Sequence, residues 1–210
     1  YNDHVVLKSS TTLDASAVTF DQTVKGDSTT ARDLTINAHN GDITFNGNVG
    51  AAGALIGAVT LNTAGDNIFN APVSVGSILT DAATTPVTDK TIVNTLTVTT
   101  TGTQIYNDDV VLQSSTTLDG SALTFAKTVK GDSTTARDLT INAHNGDITF
   151  NGNVGAAGAL IGAVTLNTAG DNIFNAPVSV GSILTDAATA SPVTDRTVIH
   201  TTSITTTGEQ

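Results

Sequence analysis

The chain repeats its own sequence after 105 residues, and this duplication limits the folds that it can adopt. The segment from Thr23 to Thr84 recurs without any change from Thr128 to Thr189. Self-similarity of this kind is the signature of architectures in which like units stack on one another. We therefore expect two periods, residues 1–105 and residues 106–210, that form one continuous structure and belong to a longer tandem array.

A shorter motif recurs inside each period: an aromatic residue, usually Asn or Asp, two variable positions and then Val. In the first period it begins at Tyr1, Phe20, Phe45 and Phe69. An alternation of apolar residues and Thr precedes most of these aromatics, and a short Val-led segment follows them, as expected of strands. The spacing predicts an all-β fold, a parallel β-helix (β-solenoid), with three short strands per coil and about four coils per period.

The motif also predicts which side chains lie inside the solenoid and which lie at its corners. The aromatic and Val positions are expected to point inward, and these are Phe20, Val24, Phe45, Val49, Phe69, Val73, Tyr106, Val110, Phe125, Phe150 and Phe174. The Asn that follows the aromatic suits a tight corner, and these are Asn46, Asn70, Asn107, Asn151 and Asn175.

The corner amides are expected to stack as a ladder from coil to coil. We expect Asp21 and Ala126 to break this ladder, since they replace the Asn in their coils. A second corner is expected after the alternating strand, with the members Asp14, Asn37, Asn62 and Thr99.

The segment TTTGTQIYNDDVVLQSSTTL, from Thr99 to Leu118, and the alternating strands LTIN and VTLN resemble the repeat region of filamentous-haemagglutinin-like adhesins. Those are giant secreted bacterial proteins with a right-handed parallel β-helix. The resemblance covers essentially the whole chain. It implies a right-handed β-helix and a secreted, extracellular or cell-surface fibre that serves adhesion or scaffolding. It transfers no catalytic residue.

Composition narrows the classes of partner. The formal net charge of −11 repels nucleic acid and anionic membranes, so we expect neither as a partner. No stretch of 18 apolar residues is present, which argues against membrane insertion. The expected partners are identical repeats or copies of the chain, stacked end to end in a filament. A glycan-binding adhesin segment that recognises extracellular glycans or a host or cell surface is the alternative.

No pattern of residues predicts an enzyme or a cofactor. The chain has no Cys and no GxSxG motif, and its Gly-rich segment from Gly47 to Ala58 lacks the GK[ST] ending of a phosphate loop. Weak surface calcium binding at clusters such as Asn107–Asp109 stays open, because turn-forming Asp explains them without a metal. Ice binding by the Thr-rich stretch Thr95–Thr103 and polysaccharide degradation are the lesser alternatives.

Overall fold

The computed structural model describes residues 1–80, 89–185 and 195–209, and these form an all-β parallel solenoid. The chain passes through three faces in turn, so each turn contributes one strand to each face, as the motif predicted. Every pairing between named strands is parallel and joins a strand to the one a turn later. The described residues contain no helix, and hence none that is long and apolar enough to cross a membrane.

The three faces are built from 25 strands and two single bridge residues. Face 1 holds β1 (Val5–Leu7), β4 (Val24–Gly26), the bridge residue Val49, β9 (Val73–Val75), β12 (Thr97–Thr100), β15 (Thr116–Gly120), β18 (Arg137–Ala143), β20 (Ile161–Thr168) and β23 (Ser182–Thr185). Face 2 holds β2 (Thr11–Ala15), β5 (Arg32–Ala38), β7 (Ile56–Thr63), β10 (Ser77–Thr80), β13 (Gln104–Tyr106), β16 (Leu123–Phe125), β19 (Ile148–Phe150), β21 (Asn172–Phe174) and β24 (Thr197–Ile199). Face 3 holds β3 (Val18–Phe20), β6 (Ile43–Phe45), β8 (Asn67–Phe69), β11 (Lys90–Val93), β14 (Asp109–Leu112), β17 (Val129–Gly131), the bridge residue Val154, β22 (Val178–Val180) and β25 (Ile204–Thr206).

Alternation along each strand places aliphatic side chains inside the solenoid. In β5, Leu34 and Ile36 are fully buried, whereas Thr35 between them is only partly buried. A parallel ladder puts like residues of successive turns directly above one another, so the inward positions form continuous apolar columns. Burial of these columns is the main source of stability. Each turn packs only on the turns beside it, so the columns also join the turns into one structure.

The second period is rotated by a third of a turn relative to the first. Strand β14 repeats the sequence position of β1, yet β1 lies on face 1 and β14 lies on face 3. Twelve strands and the bridge residue Val49 lie between β1 and β14, and each of them occupies one face. The step from β1 to β14 therefore passes over fourteen faces, which is four and two-thirds turns. Equivalent residues of the two periods therefore lie on different faces.

The aromatic side chains form two separate stacked columns, one in each period. Tyr1, Phe20, Phe45 and Phe69 stack with centroid distances of 5.1, 5.1 and 5.5 Å, and Tyr106, Phe125, Phe150 and Phe174 stack at 5.3, 5.0 and 5.3 Å. The first column does not continue into the second, because Phe69 pairs with Val93 on face 3 while Tyr106 lies on face 2. The 37-residue step from Phe69 to Tyr106 is thus one and two-thirds turns of the solenoid rather than a single long coil.

The predicted Val positions are also inside. Val24, Val49, Val73 and Val110 are all buried, and three of them belong to short strands. Val49 instead makes isolated parallel bridges to Val24 and Val73. The Gly-rich segment after it turns back on itself through an antiparallel bridge between Ala51 and Ala54 before β7 begins.

Candidate functional site

Two ladders of polar side chains run along the corners of the solenoid. In the first period Asn70 Nδ2 donates to Asn46 Oδ1 at 2.9 Å, and Asn46 Nδ2 donates to Asp21 Oδ1 at 2.9 Å. The expectation that Asp21 breaks this ladder was therefore wrong: its carboxylate accepts the amide and forms the first rung. The ladder extends through Asn94, which donates to Asn70 at 3.2 Å, to the hydroxyl of Ser114, which donates to Asn94 at 3.1 Å.

The same ladder is shorter in the second period. Asn175 Nδ2 donates to Asn151 Oδ1 at 2.8 Å. One turn before Asn151 the corner position is held by Ala126, whose methyl group offers no acceptor, so the ladder begins at Asn151. The predicted corner residue Asn107 joins neither ladder. Its amide donates to the backbone oxygen of Thr80 at 2.7 Å, because β13 stacks on β10.

Three members of the predicted second corner, Asp14, Asn37 and Asn62, lie at paired positions on successive turns of face 2. Asn62 Nδ2 donates to Asn37 Oδ1 at 2.8 Å, and Asn37 pairs with Asp14 in the strand register. The prediction that Thr99 belongs to this corner is wrong. Thr99 lies on face 1 beside Asp119, because the second period is rotated by a third of a turn.

Ion pairs on the outer wall recur in both periods. Arg32 Nε donates to Asp27 Oδ1 at 3.0 Å, and Arg137 makes the same contact with Asp132 at 3.0 Å. These hydrogen bonds hold the pKa of each carboxyl below its usual value. Each pair joins two ends of one loop, so its role is local and it offers no free ligand-binding group.

The solenoid interior becomes polar where the two periods meet. Four buried side chains that lie in the strands of face 3 or directly before them form what we call the junction cluster, and these are Asn67, Asp89, Thr91 and Asp108, each at most 3% exposed. Asp108 Oδ2 accepts hydrogen bonds from Asn67 Nδ2 at 3.2 Å and from Thr91 Oγ1 at 3.3 Å. Three successive turns therefore contribute to one buried polar contact.

Asp89 is held differently from Asp108. Neither carboxylate oxygen of Asp89 has a hydrogen-bond partner. The nearest cation is Lys127, whose Nζ lies 4.0 Å from Asp89 Oδ1, beyond hydrogen-bonding distance. The Oδ1 atom of Asn67 is also buried without a hydrogen bond. Buried polar atoms of this kind are few in folded proteins, so the cluster calls for an explanation.

A second buried polar contact lies at the junction, on face 2. The hydroxyl of Tyr106 donates to Gln104 Oε1 at 2.8 Å, and Gln104 Nε2 donates to the backbone oxygen of Asp119 at 2.8 Å. Burial of the phenol raises the pKa of Tyr106 well above its ordinary value. The neutral hydroxyl is therefore the stable form inside the solenoid.

The two ends of the described solenoid expose the apolar residues that the junction covers. Val93 is fully buried at the junction, whereas its equivalent Ile199 is 54% exposed. Tyr106 is fully buried, whereas its equivalent Tyr1 is 58% exposed. An open cavity of about 320 Å³ at the last turn is lined by Phe174, Ile183, Leu184, Thr185, Thr197, Ile199 and Ile204.

Sequence reasoning did not identify the junction cluster, although its residues lie in phase with predicted inward positions. Asp108 lies two residues before Val110, and side chains two apart on a strand share a face. Asp89 bears the same relation to Thr91, which is itself two residues before the buried Val93. The missing information was the stacking of β8, β11 and β14, because this register alone brings the side chains together.

Among the described residues, no group of three or more His, Cys, Asp or Glu side chains is arranged to hold a metal ion. Two exposed histidines each contact one Asp: His39 Nε2 lies 2.5 Å from Asp14 Oδ1, and His144 Nε2 lies 2.8 Å from Asp119 Oδ1. A third, His200, contacts the amide oxygen of Asn175 through Nδ1 at 2.7 Å. Comparison of the chain with protein-family models, with curated proteins and with solved structures gives no match.

Proposed function

We propose that the chain is a structural module of an extracellular bacterial fibre, which serves adhesion or scaffolding by stacking its solenoid ends on further copies. The observation that carries this proposal is the contrast between the junction and the two ends. Equivalent apolar positions are buried where one period meets the next, at Val93 and Tyr106, and exposed at the two ends of the described solenoid, at Ile199 and Tyr1.

The internal junction supplies a template for the contact between two copies. At the junction β11 pairs in parallel with β14, with Ile92 opposite Val111. The equivalent residues at the two ends are Val198 of β24 and Val6 of β1. A second copy placed in this register pairs the open edge of β24 with the open edge of β1 and covers Ile199. Unpaired strand edges and exposed apolar side chains both favour this contact.

The extracellular role rests on the sequence resemblance and on the repeated surface. Most of the outward residues recur in each period, a third of a turn further around the rod, so weak contacts with a cell surface or with glycans gain strength through multivalency in a longer array. The negative charge favours solubility of a long rod before it assembles.

Engineered cysteines test the register, because the chain contains no Cys of its own. Neighbouring strands of a sheet lie about 4.8 Å apart, within the Cα separation of about 4.4–6.8 Å that a disulfide spans. A chain carrying both Val198→Cys and Val6→Cys is expected to form a ladder of covalent oligomers on oxidation, read by non-reducing gel electrophoresis. The intrachain pair Ile92→Cys and Val111→Cys shows whether the geometry permits the bond.

Two charged variants distinguish end-to-end stacking from non-specific hydrophobic association. Ile199→Lys places a charge on the end and is expected to leave the protein monomeric in sedimentation velocity and to abolish fibres in electron micrographs. Leu96→Lys changes a side-wall residue that is also exposed and is expected to leave assembly unchanged. Monomers of the native chain at millimolar concentration, with the intrachain control cross-linked, would overturn the proposal.

A further inference from the structure

We propose that the junction cluster binds one calcium ion, held by the carboxylates of Asp89 and Asp108 and by the amide oxygen of Asn67. This site lies inside the solenoid and differs from the exposed Asp turns at which the sequence left weak surface calcium open. It is formed within a single chain, so it does not depend on end stacking.

The first argument is the state of the oxygen atoms. Asn67 is fully buried, and its amide nitrogen donates to Asp108 at 3.2 Å, which aims the side chain into the cluster. Its Oδ1 atom and both carboxylate oxygens of Asp89 have no hydrogen-bond partner. A buried oxygen without a donor costs about 1–3 kcal/mol, and a carboxylate costs more, so a ligand that coordinates these atoms is stabilising.

The second argument is the charge. The carboxylate of Asp89 is fully buried, and the ammonium of Lys127 lies 4.0 Å from its Oδ1 atom, too far for a hydrogen bond. An uncompensated charge inside a protein is strongly destabilising. A divalent cation at Asp89 compensates the charge of this carboxylate and frees Lys127, whose side chain is 39% exposed, to turn toward solvent.

The third argument is the spacing of the rungs. Lys90 pairs with Asp109, so the preceding residues, Asp89 and Asp108, lie on neighbouring rungs of face 3. Rungs are about 4.8 Å apart, and a cation midway between two oxygens at that spacing lies about 2.4 Å from each. This matches the oxygen distance of calcium, about 2.3–2.6 Å, and exceeds that of magnesium, about 2.0–2.1 Å. All donors are oxygen, as a hard cation requires.

Comparison of the two periods identifies Lys127 as the competitor for this site. The equivalent residue of the first period is Gln22, so the Lys is not a fixed part of the repeat. Its side chain is 39% exposed and its ammonium lies 4.0 Å from the buried Asp89 Oδ1, so it is the cation that a bound calcium ion would displace. Removal of the ammonium should therefore strengthen calcium binding, whereas a purely structural ion pair would predict destabilisation alone.

Calcium titration by isothermal calorimetry tests the site, together with thermal unfolding in calcium, in magnesium and in EDTA. Both are done on the Ile199→Lys variant, in which end stacking is blocked, so that failure of this proposal leaves the proposed function standing. We expect one calcium per chain, a raised unfolding temperature in calcium and a smaller rise in magnesium. Asp89→Asn and Asp108→Asn should abolish the calcium-dependent rise.

Lys127→Gln should bind calcium about tenfold more tightly, since a competing charge is removed. Asp195→Asn is the matched control, because Asp195 is the residue of the second period that is equivalent to Asp89. No later turn in the described part of the chain supplies an equivalent of Asp108 beside Asp195. Asp195→Asn should retain the calcium effect. If Asp89→Asn fails to fold, the calcium affinity of Lys127→Gln still tests the proposal. Absence of calcium binding by both the parent and Lys127→Gln would overturn the proposal, and so would loss of binding in Asp195→Asn.

Discussion

Replacement of Phe45 by Ala is the most direct test of the stacked interior. The Phe45 ring is fully buried and stacks on two others, with centroids 5.1 Å from Phe20 and 5.5 Å from Phe69. Truncation of a buried Phe to Ala costs about 3–5 kcal/mol, because apolar contact is lost and a cavity remains. Loss of two stacked ring contacts, worth about 0.5–1.5 kcal/mol each, places the expected cost near the upper end of that range.

The two periods supply matched controls for this experiment. Phe150 occupies the equivalent position, with ring centroids 5.0 and 5.3 Å from its neighbours, so Phe150→Ala should cost the same within about 1 kcal/mol. Tyr1 is 58% exposed and stacks on one ring alone, so Tyr1→Ala should cost less than about 1 kcal/mol.

Urea unfolding followed by far-ultraviolet circular dichroism measures these differences in the free energy of unfolding. The Ile199→Lys background keeps end stacking from contributing. A loss below about 1 kcal/mol for Phe45→Ala would refute a close-packed ring column, because truncation of a well-packed buried Phe typically costs about 3–5 kcal/mol. An equal loss for Tyr1→Ala would refute the difference between inner and terminal rings.

Three further predictions follow from single contacts. Asn46→Ala removes two ladder hydrogen bonds and should cost about 1 kcal/mol in urea unfolding, whereas Asn151→Ala removes one and should cost about half as much. Gly50→Ala should be far more destabilising than Gly53→Ala: both have positive φ, 86° and 72°, but only the Cβ at Gly50 collides with a neighbouring backbone oxygen, so Gly53→Ala should cost about 1–2 kcal/mol. Burial raises the pKa of Tyr106 above its unfolded value, so the stability that it contributes is present below about pH 10 and is lost as the pH rises further. In a variant whose other tyrosine is Phe, tyrosinate absorbance should therefore appear only as circular dichroism reports unfolding.

The sequence predicted the solenoid because two periodicities agree. Alternation within segments such as Leu34–Ala38 marks one inward face, and recurrence of the aromatic every 19 to 25 residues in the first coils sets the length of a turn. Local pattern and global repeat then specify one fold, which is how foldable sequences behave. The predicted inward aromatic and Val residues lie inside for the same reason.

The rotation between periods was beyond sequence reasoning of this kind. Between Phe69 and Tyr106 the inward positions hold no aromatic residue, so the motif does not mark the turns. Five strand positions lie in that interval, and only their pairing shows that they make one and two-thirds turns. The misplacement of Thr99 and the unrecognised junction cluster both follow from this one missing count.

The rotation also limits how a repeated surface can act. Because one period spans four and two-thirds turns, an outward patch on face 1 recurs on face 3 in the next period and returns to face 1 only after three periods. Three periods make fourteen turns, about 67 Å of rod at the rung spacing of a sheet. A flat ligand array meets the same patch only at that interval, whereas a partner that surrounds the rod meets it in every period. For the proposed adhesive role, multivalency on a flat surface therefore requires arrays longer than two periods, while end-to-end stacking needs only one junction.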